Sequence, residues 1–207
     1  MDYKSFHRVF LEIPQRVNGG NPYSAISQAI DVTLEYDPTI KSLGNSVYQA
    51  GDYFWSGSAD AQVKQISVAT SLVGDILKVN AIGKDPALTN QPPYAIDLYL
   101  TISCTLKHGI KFGSDQILSD SGFELWKRIF DSGHNLLIYN AAQEKYEPIV
   151  LKTAEDLKQY FSGDQSAMDY QYVIAEGAGM GNLRGSFQIM EWKRLAGYPL
   201  KKLFGKT

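Results

Sequence analysis

Apolar residues recur at Ala25, Ile26, Ala29, Ile30 and Leu34 with the spacing of one helical face. Asn21-Pro22 opens that segment, with proline at the first helical position, and Asp37-Pro38 closes it. Upstream, Val9 to Ile13 (VFLEI) reads as a short strand ended by Pro14 and the Asn18-Gly19-Gly20 turn. Beyond Gly44 the helical spacing is lost, and Val47 to Trp55 is an aromatic segment punctuated by Gly51 and Gly57. Two β-branched runs follow, Val63 to Leu72 and Asp75 to Ile82, separated by Val73-Gly74-Asp75. They predict an antiparallel hairpin.

A Pro/Asn loop from Asp85 to Pro93 leads into Tyr94 to Leu106. There Ile96, Tyr99, Leu100, Ile102 and Leu106 return to near-helical spacing until His108-Gly109. Ile110 to Phe112 is short enough for a buried strand. Ser121 and Glu124 have capping-box spacing, so a helix is expected from Ser121 to Asp131 or Ser132, stopped by Gly133. Phe123, Trp126, Ile129 and Phe130 form its apolar stripe. Leu136 to Tyr139 and Tyr146 to Leu151 bracket a second hairpin, Thr153 with Asp156 caps a short helix, and Tyr170 to Ala175 is a strand. Ser186 to Ala196 reads as helical, and the basic tail Lys201 to Thr207 as frayed. Helices interspersed among hairpins predict an α+β fold, a mixed and largely antiparallel sheet flanked by helices.

With 207 residues, 44% of hydrophobic type and 20% charged, the chain is long enough to bury one substantial core, and a single domain over 1–207 is the default. A net charge of -2 offers no electrostatic argument for nucleic acid or a membrane surface, which need a surplus of Lys and Arg on one face. A lone cysteine, Cys104, excludes an intramolecular disulfide framework and a multi-cysteine zinc site, and no metal site is expected. Met1 to Val17 lacks a signal-peptide pattern, and no stretch approaches the roughly 18 apolar residues of a membrane span. These features together predict a cytoplasmic protein.

Candidate chemistry is sparse. The segment EGAGMGNLRG, Glu176 to Gly185, resembles a phosphate cradle, but Gly179-x-Gly181-x-x-x-Gly185 has one residue too many for the dinucleotide fingerprint and no P-loop Lys-Ser/Thr. A mobile or tightly turned loop is the favoured reading, and Arg184 is the residue that would argue for an anion. His7, His108 and His134 sit beside element boundaries, the ordinary place for structural histidines. Cys104 reads as a small buried hydrophobe on a helix. Asp115 and Asp120, flanked by serines ahead of a helix, read as turn and capping residues. Of the 13 tyrosines, none is singled out by sequence as a general acid.

The order hairpin (Val63 to Ile82), Pro-containing loop, helix (Tyr94 to Leu106), strand (Ile110 to Phe112), helix (Ser121 to Ser132) and final strand pair resembles the GNAT acyltransferase superfamily over about residues 48–151. ELWKRIFDSG, Glu124 to Gly133, looks like a variant of that family's Leu-Tyr-x-x-x-Gly-Phe close, with Leu125-Trp126 in place of Leu-Tyr. The resemblance implies an acyl-CoA donor whose pyrophosphate is cradled by the loop and helix after the fourth strand. Gln91, Tyr94 and Ala95 would then be the cofactor-binding residues. Gln91-Pro92-Pro93-Tyr94-Ala95 stands where the family has Gln/Arg-x-x-Gly-x-Gly/Ala. Trp126 replaces the tyrosine that often acts as general acid, and no glutamate lies on Asp75 to Ile82, where a base is often found, so the catalytic residues are left unassigned.

Two functions are therefore expected: a divergent acyl-CoA-dependent N-acyltransferase with an amine acceptor, or a non-catalytic protein-binding scaffold of the phage or mobile-element accessory type. In the second, Tyr53, Phe54 and Trp55 would supply an aromatic anchor unless Trp55 is buried. An opening between two parallel central strands, with unbonded N–H groups at the helix start near Pro93, would favour the first.

Overall fold

The computed structural model describes residues 21–148, 150–161 and 169–175. The predicted strand at Val9 to Ile13 and the segment from Glu176 onward, including the glycine-rich run, lie outside the described residues. Helix α1 spans Tyr23–Tyr36. Its cap differs by one position from expectation: Pro22 precedes the first turn, and Asn21 Oδ1 accepts a hydrogen bond from Tyr23 N at 3.1 Å. Ile26, Ala29, Ile30 and Thr33 are its buried face, and Thr33 satisfies its hydroxyl on Ala29 O at 2.8 Å.

Three short strands follow, β1 (Lys41–Gly44), β2 (Val47–Ala50) and β3 (Tyr53–Gly57), joined antiparallel in a meander. The long hairpin of β4 (Lys64–Val73) and β5 (Ile76–Lys84) forms as its β-branched runs predict, turning at Gly74 with φ +59. Its register shifts at Ala69/Thr70, so Asn80 is an extra residue on β5. Helix α2 (Ala95–Thr105) leads to β6 (Lys111–Gly113), which pairs parallel to β5.

Helix α3 covers Asp120–Asp131. Its cap is Ser119, whose Oγ accepts from Gly122 N at 3.2 Å, and not Ser121; the Ser121/Glu124 spacing puts the cap two residues too late. Gly133 ends it at φ +87, as expected. Strand β7 (Leu136–Asn140) pairs with β8, which is only Lys145–Tyr146, because Pro148 removes a ladder donor just beyond. Helix α4 (Ala154–Lys158) starts with the predicted Thr153/Asp156 capping box, and β9 (Tyr170–Ile174) completes the set.

The described residues thus form an α+β fold with four α-helices and one nine-stranded open sheet in the order β1-β2-β3-β4-β5-β6-β9-β7-β8. Every neighbouring pair is antiparallel except β5/β6. Alternation along β3 and β4 sends Tyr53, Trp55 and Ala69 against Ile26, Ala29 and Ile30 of α1. Gly83 of β5 lies so close to Tyr23 that any Cβ there would overlap the helix backbone. On the opposite face, Phe112, Trp126, Tyr99 and Tyr172 build an aromatic core, with Phe112 and Tyr99 rings 5.0 Å apart edge to face.

Candidate functional site

The place where β5 and β6 part is the most distinctive feature of the sheet. Their parallel ladder runs Ile76↔Lys111, Leu77↔Phe112 and Lys78↔Gly113, and there it stops. Gly113 permits the close approach, because a Cβ at that position would stand 2.6 Å from Ile76 Cγ2. Beyond it the chain follows β9 instead: Ser114 N donates to Tyr172 O at 2.8 Å, Ser114 Oγ accepts from Tyr172 N at 3.0 Å, and Gln171 Nε2 donates to Ser114 O at 3.0 Å. Strand β5 continues from Val79 to Lys84, paired with β4 alone. The two strands therefore open toward their carboxyl ends, the location at which parallel strands commonly leave a ligand crevice.

Several polar side chains lie at or beside this opening. Lys78 Nζ stands 3.3 Å from Asp115 Oδ1, and each side chain is 17% exposed. Asp115 Oδ1 also accepts from Gln116 N at 2.8 Å, so the predicted turn role holds in part, while the ion pair across to β5 was not expected. Ser71 Oγ and Asn80 Oδ1, at the bulge, are 3.1 Å apart. Tyr99, fully buried on α2, has its phenol pushed up by burial and then by the charge of Asp115, so it stays protonated at physiological pH.

The loop after β5 gathers Gln91 and Tyr94, two of the three predicted cofactor residues, around a lysine that the sequence did not single out. Lys84 Nζ donates to Gln91 O and, at 2.8 Å, to Pro93 O, and lies over the Tyr94 ring at 5.3 Å from its centroid. Gln91 acts here through its carbonyl, and its own N–H is taken by Leu88 O at 3.0 Å. Tyr94 is 46% exposed and occupies the N-cap position of α2 without a side-chain cap. Asp97 N and Leu98 N donate to Tyr94 O, at 3.1 and 3.4 Å. The N–H groups of Ala95 and Ile96 are the ones that helix geometry leaves without an intrahelical acceptor. Asp97, in the first turn, offsets part of the positive helix end, and Lys84 supplies a compensating charge.

Other candidates resolve differently. Trp126, which stands where the resemblance expects a tyrosine, is 1% exposed and packed among Tyr99, Phe112 and Tyr172, so position 126 belongs to the core. Tyr53, Phe54 and Trp55 are all buried, Trp55 completely, which rules out the proposed aromatic anchor. Cys104 is exposed, contrary to the expectation of a buried hydrophobe: the face of α2 toward the core carries Leu98, Tyr99, Thr101 and Ile102. His108 is exposed after α2, and burial holds the His134 imidazole below its usual pKa. Asp120 sits in the first turn of α3, where its charge complements the dipole but the cap is Ser119. His7, Arg184 and the Gly177 to Gly185 segment lie outside the described residues.

Among the described residues no group of three or more His, Cys, Asp or Glu side chains is arranged to hold a metal ion, and no helix is long and apolar enough to cross a membrane. No protein-family model, curated protein or solved structure matches the chain at a significant level.

Proposed function

We propose that the protein is a divergent GNAT-like acyltransferase that takes an acyl-CoA donor and an amine acceptor at the open end between β5 and β6. The observation that carries this reading is the ladder that ends at Lys78↔Gly113 while β5 runs on to Lys84 and directly into the loop before α2. Supporting it, the order hairpin, loop, helix, parallel strand, helix is the one on which the resemblance rests. The donor's pyrophosphate would lie at the start of α2, against the N–H groups of Ala95 and Ile96 and the Lys84 ammonium, with Gln91 and Tyr94 holding that lysine. The two prolines at 92 and 93 contribute no N–H, so the site depends on Lys84 more than on backbone donors.

The acceptor nitrogen would attack the thioester carbonyl carbon with its lone pair. The C–S bond breaks, CoA leaves as the thiol, and the proton lost by nitrogen ends on sulfur, so atoms and charge balance. Trp126 takes no part in that proton transfer, being buried and a poor acid. Calorimetric titration of the full chain with acetyl-CoA and with a longer acyl-CoA tests the reading. It expects saturable binding with Kd on the order of micromolar to millimolar, the usual range for enzyme substrates. Absence of heat for both donors at millimolar concentration would overturn it.

A further inference from the structure

An ion pair stands at the opening and joins β5 to the segment after β6 at a longer distance than two others. Two other ion pairs among the described residues close at 2.7 Å: Lys64 to Asp31 fastens α1 to β4, and Lys111 to Asp75 fastens the β4–β5 turn to β6. Lys78 and Asp115 are further apart, at 3.3 Å, beyond the roughly 2.7–2.9 Å of a charge-assisted hydrogen bond. Lys78 stands on the last rung of the β5/β6 ladder, opposite Gly113, and Asp115 follows two residues past that rung, where the strands part. The Lys78 contact and the hydrogen bond from Gln116 N both fall on Oδ1 of Asp115, and a carboxylate has capacity for about four donors. Lys78 reaches it from β5, and its charge also acts on the phenol of Tyr99, which packs with Phe112 on α2's side of the sheet.

We propose that Asp115 binds one protonated amino group of a diamine acceptor, with Lys78 yielding its place to the incoming ammonium, while the acceptor's second amino group, as the free base, supplies the lone pair for attack. An alkylammonium presents the same charge and the same three N–H donors as the lysine it displaces, whereas a neutral or anionic acceptor gains nothing at a carboxylate. Lys78 opposes the amine both by occupying the carboxylate and by like charge. The two residues therefore pull amine affinity in opposite directions, which a purely structural ion pair would not do. The inference names the acceptor subsite of the acyltransferase proposed above and rests on that reading.

The test uses the full chain, labelled with 15N, titrated with 1,5-diaminopentane and followed at the amides of Gly113 to Gln116, with acetyl-CoA calorimetry in parallel. Asp115→Asn is expected to weaken diamine binding about tenfold or more, about 1.4 kcal/mol, and Lys78→Met to tighten it several-fold. Acetyl-CoA affinity should stay within about twofold of wild type in both variants, and in transfer assays Asp115→Asn should raise KM for the amine more than it lowers kcat. Equal diamine binding by wild type and Asp115→Asn would overturn the inference, as would weaker binding by Lys78→Met in a folded protein. Asp115-dependent diamine binding by a protein with no acetyl-CoA affinity would support the amine site and overturn the acyltransferase reading.

Discussion

Replacing Trp126 by tyrosine restores the residue type that the GNAT resemblance expects, and the structure predicts that this restoration is costly. The indole is 1% exposed, with ring centroids 5.9 Å from Tyr99, 6.1 Å from Tyr172 and 6.5 Å from Phe112. Trp126→Phe isolates the loss of packing, about 1–2 kcal/mol for a modest cavity in a rigid aromatic core. Trp126→Tyr adds a hydroxyl among these rings. Without a hydrogen-bond partner it should cost about 1–3 kcal/mol more than phenylalanine. Urea unfolding followed by circular dichroism at constant m-value gives both numbers and their difference. The indicative result is a tyrosine variant less stable than the phenylalanine variant by at least 1 kcal/mol, about the lower bound for a buried unmade bond. Equal stability would refute the reasoning. It would mean that the position 126 hydroxyl reaches water or a partner, and that this residue opens onto the crevice and not into the core.

Other expectations follow from the same contacts. Burial raises the Asp75 carboxyl, but hydrogen bonds from Lys111 and Tyr146 and the Lys111 charge outweigh it, so its folded pKa lies below the ordinary value. Its stabilisation is therefore present above about pH 4 and lost as pH falls through the lowered value, and Lys111→Met should flatten the acid limb of the stability–pH curve; an unchanged limb would contradict it. Gly83→Ala would drive a methyl into the Tyr23 backbone and should lower stability by about 1–3 kcal/mol, measured by thermal melting, with a neutral result refuting the contact. Cys104, exposed on α2, should react with a thiol reagent in the native protein at a rate close to that in urea; protection of tenfold or more, about 1.4 kcal/mol of opening, would place it in the interior.

Much of the local structure was legible because it is encoded locally. The α1 stripe, the β4–β5 hairpin, the α3 stripe, the Thr153/Asp156 capping box and the Gly133 stop each depend on residues a few positions apart. Errors arose where two local signals competed. Ser119 and Ser121 both suit an N-cap, and Glu124 favoured the wrong one; apolar neighbours of Cys104 hid the fact that α2 turns that position outward. The open end of β5/β6 was the least legible part. It depends on β9, distant in the chain, inserting between β6 and β7 and drawing Ser114 away from β5, and no periodicity in either segment announces that partnership. Lys84 was missed for a related reason: its role comes from carbonyls of Gln91 and Pro93 that only the folded loop gathers.

The central claim is that the open end of β5 and the start of α2 form one acyl-CoA site, and backbone amide shifts on addition of acetyl-CoA test it most directly. The account predicts that the largest shifts fall on Val79 to Lys84 and on Ala95 to Asp97, and that Lys84→Met weakens them together. Shifts confined to other parts of the sheet, or none at saturating donor, would contradict it.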